Sequence, residues 1–454
     1  VALIAVRAEL LYHRPLVTKD SQSVSRHWSG RKRRAVKLSL ILLGVVAGLF
    51  VAEIALRVAG YTFPTFYAPD AARGYHLQPG MRGWYRKEGE SYVEINSDGL
   101  RDREHSKAKP PHTFRVAVLG DSYAEALQVP AEAAFWHVLE TGLRACPGLG
   151  GREVEVINFG VSGYGTAQEL LTLREKVWAY SPDLVLLAFT TNNDVTDNSR
   201  ALKRTDEIPY FVLRGGRLAP DDSFRDSRAF RLRSSRLSRL GAWIRDSSRV
   251  VQAIHQSQYA IKSYLARRRA QSDAAAAGAP PPAADATPAA KGDAAPVDAS
   301  DLLARSDEIG IDNLIYREPL NEVWQEAWRV TERLIVEMRD EVGARGARFA
   351  VVTLSNGIQV HPSAAAREAF MRRAGATDLF YPDKRVAALG AREGFAVFTL
   401  APELQAYAER NRVFLHGFGA GLGNGHWNAE GHRVAGELLT RRLCDSLTGG
   451  GAPQ

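Results

Sequence analysis

Three short apolar runs, each halted by a polar or glycine-rich turn and followed by residues with helical spacing, constrain this chain most. Residues 116–119 (Val-Ala-Val-Leu) stop at Gly120-Asp121-Ser122. Residues 154–159 lead into Gly160-Val161-Ser162-Gly163, and residues 184–189 end in Thr190-Thr191-Asn192-Asn193-Asp194. Apolar runs of this length between turn signals read as buried strands, and their alternation with helices predicts a parallel sheet covered on both faces. In such a sheet every strand-to-helix turn falls on one edge, so Ser122, Gly163 and Asn193 are expected to converge. Residues 349–354 and 395–400 supply a fourth and a fifth strand. Between the third and fourth, residues 322–342 repeat Trp324, Ala327, Trp328, Thr331, Leu334 and Ile335 at helical spacing, the pattern of a core-facing helix.

Ser122 is the candidate nucleophile. It stands at the carboxyl end of a strand, where open α/β sheets place ligand crevices, and the helix that follows favours developing negative charge. The same position also reads as a helix N-cap in a nucleotide-binding loop. The candidate base is His426, in a glycine-rich stretch after the last strand and just before a helix over 429–443 capped by Asn428. His432 falls inside that helix and reads as a packing residue. A backbone N–H at Gly163 and the Asn193 amide are of the kind that holds an oxyanion.

Composition matters at the flanks. A chain of 454 residues buries a full core and has room for an insertion. Residues 1–37 are polar and basic, ending in Arg31-Lys32-Arg33-Arg34-Ala35-Val36-Lys37, and residues 38–56 are apolar except for Ser39 and Glu53. That run is long enough to cross a bilayer, and the basic cluster before it places residues 1–37 in the cytoplasm and the rest across the membrane. A signal-peptide core cleaved near Val58-Ala59-Gly60 and a buried soluble helix are the alternatives. The net charge of +8 is modest and partly concentrated before the apolar run, which argues against nucleic-acid binding. Two cysteines, Cys146 and Cys444, are too few and too far apart for a zinc site, and no metal or organic cofactor is expected.

The expected organisation is a basic cytoplasmic tail (1–37), a membrane helix (38–58), a β-rich lead-in (61–111), a main domain in two parts (112–225 and 318–447), and an arginine-rich helical insert (226–317). The insert reads as a solvated arginine face on packed helices, or as a basic lid near anionic lipid or glycan. Within it, the Ala/Pro stretch 270–300 is expected to be disordered.

The serine, glycine, asparagine and histidine come in the order of the four sequence blocks of the SGNH/GDSL hydrolases, esterases and lipases, which this chain resembles over about residues 112–225 and 318–447. The resemblance implies a flavodoxin-like three-layer α/β/α fold with a parallel five-stranded sheet, here preceded by one transmembrane helix. It casts Ser122 as nucleophile, His426 as base, and Ser122, Gly163 and Asn193 as the oxyanion hole. Tyr123 replaces the leucine of the GDSL form, and Thr191 stands where glycine is common. The family's acid lies two or three residues before the histidine, where this chain has Gly423 and Asn424. Asn424, another carboxylate or a backbone carbonyl takes that role, or the site is degenerate. The resemblance also implies that the helices ending near Cys146 and Cys444 lie side by side. Their thiols then form a disulfide suited to an oxidising compartment, or stay as two buried thiols.

The expected function is that of a membrane-anchored, extracytoplasmic serine esterase acting on acyl or acetyl esters of glycans or lipids through an acyl-enzyme. An O-acyltransferase acting on a cell-surface polysaccharide and a non-catalytic membrane-tethered binding module are the alternatives.

Overall fold

The computed structural model describes residues 30–191, 193–276, 311–319 and 321–448. Most of the expected cytoplasmic tail, and residues 277–300 of the Ala/Pro stretch, lie outside the described residues. The chain divides into two units, Val1–Ala59 and Gly60–Gln454. The described part of the first is the helix Gly30–Val58. Its apolar portion, Lys32–Val58, is 27 residues long and sufficient to cross a membrane, a test that a signal sequence also passes.

The second unit opens with two antiparallel hairpins, β1 (Tyr67–Asp70) with β2 (Gly74–Leu77) and β3 (Arg82–Tyr85) with β4 (Ser91–Glu94). There follow β5 (Thr113–Gly120), β6 (Glu153–Asn158), β7 (Leu184–Thr190), a hairpin of β8 (Tyr210–Arg214) and β9 (Arg217–Asp221), then β10 (Arg348–Leu354) and β11 (Ala396–Thr399). The central sheet has five strands, all parallel, in the order β11-β10-β7-β5-β6. Numbered within the sheet this is 2-1-3-4-5, the flavodoxin-like order, with its topological switch point between β5 and β7.

Period-two alternation along these strands feeds two cores. Ala117 and Leu119 of β5, with Val185, Leu187 and Phe189 of β7, pack under helices Thr166–Glu175, Glu322–Ala344 and Tyr381–Glu393. Val116 and Val118, with Leu184, Leu186 and Ala188, pack under helices Phe135–Leu143, Ala401–Asn411 and Ala429–Thr448. Both faces are covered, so these strands read in sequence as unbroken apolar runs.

Helices Phe135–Leu143 and Ala429–Thr448 approach closely because glycines line the crossing. A Cβ on Gly436 would stand 2.6 Å from Val138, and one on Gly142 would stand 2.6 Å from Thr440. Cys146 and Cys444, at the ends of this pair, form a disulfide with Cα atoms 5.6 Å apart.

The lead-in is joined to the main domain by its own small core, in which Phe66, Leu77, Val93 and Ile95 meet Leu127, Val161 and Tyr164 from the turns after β5 and β6. The insert consists of helices Arg228–Arg233, Arg236–Ser247 and Arg249–Ala276. Residues 270–276, expected to be disordered, continue the last of these. Helix Arg236–Ser247 has no fully buried residue, although its Asp246 accepts the Thr65 N–H at 3.3 Å.

Candidate active site

β5 delivers Ser122 directly from the switch point. Gly120, the last strand residue, leaves no room for a side chain, since a Cβ would sit 2.8 Å from Ala124. Asp121 caps the short helix Ser122–Glu125, its Oδ1 accepting from the Tyr123 N–H (3.0 Å) and from the Thr190 hydroxyl at the end of β7 (2.9 Å). The serine turn is thereby tied to the neighbouring strand. Burial pushes the Asp121 carboxyl above its ordinary range.

His426 faces Ser122, with Nε2 2.7 Å from Oγ. Its other nitrogen, Nδ1, lies 2.5 Å from Oε2 of Glu88, and Oε1 of the same carboxylate accepts the His426 backbone N–H at 2.8 Å. Serine, histidine and carboxylate therefore form a continuous hydrogen-bonded triad, with Nδ1 donating to Glu88 and Nε2 left to accept from Ser122.

Glu88 is the residue that motif reading missed. It lies in the loop between β3 and β4, 338 positions from His426, and no local pattern marks it. The one hint in the sequence is negative: no acid stands two or three residues before His426, where Gly423 and Asn424 lie. Asn424, one of the candidate partners, lines the cavity, and its backbone N–H donates to the Gly421 carbonyl (3.1 Å). The Nδ1 position expected for it is held by Glu88, because the β3–β4 loop reaches over the histidine loop at Gly425. That glycine has φ of +81°, and a Cβ there would stand 2.2 Å from Glu88 Oε1.

The histidine loop is clamped from beneath. The Gly425 carbonyl accepts from Nδ1 of buried His416 (2.8 Å) and from the Tyr123 hydroxyl (3.1 Å). Burial lowers His416 to about 4, so it stays neutral and keeps the donor–acceptor polarity that this contact needs. Tyr123, in the position where the GDSL form has leucine, thus acts as a brace, and its ring also lies 5.1 Å from that of His426.

Charge in the triad is tuned by competing effects. Burial pulls the His426 imidazolium down, but the hydrogen bond and charge of Glu88, with the charges of Asp121 and Glu125, carry its pKa above the ordinary value. Burial pushes Glu88 up, but its bonds to His426 hold it below the usual carboxylate range. Both shifts favour an ionised carboxylate beside an imidazole ready to take a proton.

Ser122, Gly163, Asn193 and His426 line one cavity of about 300 Å³. Gly163 (φ +77°) is held by the first hairpin: Tyr75 donates to the Ser162 carbonyl (2.8 Å), and a Cβ on Gly163 would lie 2.7 Å from the Tyr75 hydroxyl. The Asn193 amide is oriented by Asp197, to which Nδ2 donates at 3.0 Å. Buried Glu125 accepts from Tyr67 (2.8 Å) and from the Ser162 N–H (2.7 Å), which joins the serine turn, the glycine turn and β1. His432 is fully buried, its ring stacked on Phe135, and takes no part. Among the described residues no group of three His, Cys, Asp or Glu side chains is arranged to hold a metal ion.

No family model matches this chain, and no curated protein does. Among solved structures it is similar to an acetyl xylan esterase, AlAXEase, at 11% identity and a TM-score of 0.34, over 73% of this chain and 100% of that one. It is similar to a lipase/acylhydrolase from Enterococcus faecalis at 12% identity and a TM-score of 0.30, over 73% of this chain and 96% of that one. A two-domain esterase active on acetylated mannans gives 10% identity and a TM-score of 0.33, over 75% of this chain and 51% of that one.

Proposed function

We propose that this protein is a serine esterase of the SGNH type, with Ser122 as nucleophile, His426 as general base and Glu88 as the orienting acid. The observation that carries the reading is the unbroken contact from Ser122 Oγ through His426 to Glu88, at 2.7 and 2.5 Å. His426 Nε2 takes the hydroxyl proton as Oγ attacks the ester carbonyl, and Glu88 stabilises the imidazolium that forms. The N–H groups of Ser122 and Gly163 and the amide of Asn193 receive the oxyanion. The tetrahedral intermediate collapses as His426 returns the proton to the leaving alcohol. Water, deprotonated by the same imidazole, then attacks the acyl-enzyme and releases the carboxylic acid and Ser122.

The cavity's small volume, with polar groups set beside Ile358 and Phe370, favours small acyl groups on hydroxylated scaffolds over long lipid chains. Asn313, Asn356, His361 and the Lys203–Asp197 ion pair (2.6 Å) share the cavity with the catalytic groups. Acetylated glycans are the substrate class we assign. Transfer of the acyl group to a sugar hydroxyl in place of water would use the same site and the same polar lining. The apolar helix Gly30–Val58 serves in this reading as a single-pass anchor in the cytoplasmic membrane. The basic cluster before it and the disulfide Cys146–Cys444 both support an extracytoplasmic catalytic domain.

The test is hydrolysis of aryl esters of increasing chain length by the full chain and by Ser122→Ala and His426→Ala. Acetate is expected to be preferred, and both variants are expected to lose activity. Activity equal to the parent in either variant would overturn the assignment.

A further inference from the structure

Two helices of the arginine-rich insert leave large apolar side chains exposed and turn several polar ones inward, which a helix packed on a core does not do. On Arg236–Ser247, Leu237 is 82% exposed, Leu240 53% and Trp243 66%, with Ile244 beside them. Their spacing places them on one stripe of the helix. The opposite side bears Ser238, Ala242 and Asp246, which line a cavity against the β1–β2 hairpin, and Trp243 and Arg239 reach the edge of the same cavity. Asp246 also accepts the Thr65 N–H (3.3 Å). Helix Arg249–Ala276 shows the same feature in part, with Val250 and Val251 half-buried. Its buried Gln252 accepts the Phe63 N–H (2.8 Å) and its Gln256 accepts the Tyr61 hydroxyl, while Ile254 and Ile261 stand exposed. A contiguous apolar face of this kind on a soluble surface marks an interaction site.

Charge and chain position identify the partner. Exposed Arg236 and Arg239 accompany the stripe, the composition of a helix that lies in a bilayer interface among anionic headgroups. The residues that hold these helices, Tyr61, Phe63 and Thr65, follow directly on the end of the apolar helix at Val58. From Val58 to Tyr61 the chain reaches at most about 11 Å, which, where Gly30–Val58 spans a membrane, limits how far Tyr61 can stand from the bilayer.

We propose that the outward face of helices Arg236–Ser247 and Arg249–Ala276 docks on an anionic lipid bilayer, an inference that rests on reading Gly30–Val58 as a membrane span. Docking would hold the catalytic domain against the membrane rather than leave it to swing on its anchor.

Both cysteines of the chain are in the disulfide, so Leu237→Cys introduces a lone free thiol for a fluorescent label. The full chain is reconstituted in vesicles of phosphatidylglycerol and phosphatidylcholine. Leu240→Cys serves as a second stripe position and Arg372→Cys, exposed on helix Ala364–Ala374, as the control. A lipid-borne quencher is expected to remove most of the emission at 237 and 240 and little at 372, with aqueous iodide giving the reverse order. In phosphatidylcholine alone the lipid-borne quenching is expected to fall several-fold. Iodide reaching 237 and 240 as readily as 372, in vesicles that still carry the protein on flotation, would overturn the docking while leaving the anchor intact. Protection from both quenchers would overturn it and assign the face to another protein copy. Failure to float with the vesicles would overturn the anchor and the docking together.

Discussion

Glu88 completes a triad whose other two members were legible from motif order alone, and that difference has chemical consequences. Because only neutral His426 can accept the Ser122 proton, kcat/KM falls as pH drops through the His426 pKa. That pKa is raised, so the acidic limb is expected above the position set by an ordinary histidine. In Glu88→Gln the upward pull of the carboxylate is gone and the downward pull of burial remains. The limb is therefore expected to move to lower pH, as measured by kcat/KM against pH with an aryl acetate. Gly425→Ala probes the same contact from the other side. A Cβ would meet Glu88 Oε1 at 2.2 Å in a backbone conformation with φ of +81°. Displacing the carboxylate by about 1 Å is expected to cost roughly 10²-fold in kcat/KM. A non-glycine residue in that conformation costs roughly 1–2 kcal/mol, so the variant is expected to stay folded with a modestly lowered Tm. The sequence exposes Ser122, Gly163, Asn193 and His426 because each sits at a turn that its own strand or helix dictates. Glu88 carries no such mark, since its role is set by the packing of a hairpin on a loop hundreds of residues away.

The hairpin β3–β4 supplies Glu88 to the candidate site, although by sequence it reads as a lead-in to the main domain. The first hairpin does similar work through Tyr67 on Glu125 and Tyr75 on Ser162. The sheet strands were legible because strands buried on both faces are continuous apolar runs bounded by turns. The hairpin β8–β9 and the helices Ala364–Ala374, Tyr381–Glu393 and Ala401–Asn411 were not, because their apolar positions are sparse and mixed with buried polar groups such as Arg367 and Asp383. The disulfide ties the end of the last helix to the chain just after the helix Phe135–Leu143, across a sequence separation of 298. Replacing both Cys146 and Cys444 by Ser is expected to lower stability by about 2–5 kcal/mol, read by chemical denaturation under non-reducing conditions. The parent is expected to fall to the same value once reduced.

At the scale of the whole molecule, a basic segment, an apolar helix, a lead-in that carries the acid and a flavodoxin-like sheet follow one another along the chain. The order matters because Glu88, the acid proposed here, lies only 30 residues after Val58, so cleaving the lead-in away from the sheet domain would remove both Glu88 and the tyrosines that brace the turn after β6. Chains starting at residue 112 are therefore expected to lack esterase activity even where they fold, checked by aryl acetate hydrolysis alongside circular dichroism.

The central claim, that a carboxylate from the amino-terminal hairpin has replaced the acid missing beside the histidine, is tested most directly by comparing kcat/KM for aryl acetate hydrolysis by Glu88→Gln and Asn424→Ala with that of the parent. Glu88→Gln is expected to lose roughly 10²–10⁴-fold, and Asn424→Ala to stay close to the parent. Parent-like activity in Glu88→Gln, or an equal loss in Asn424→Ala, would contradict the triad described here.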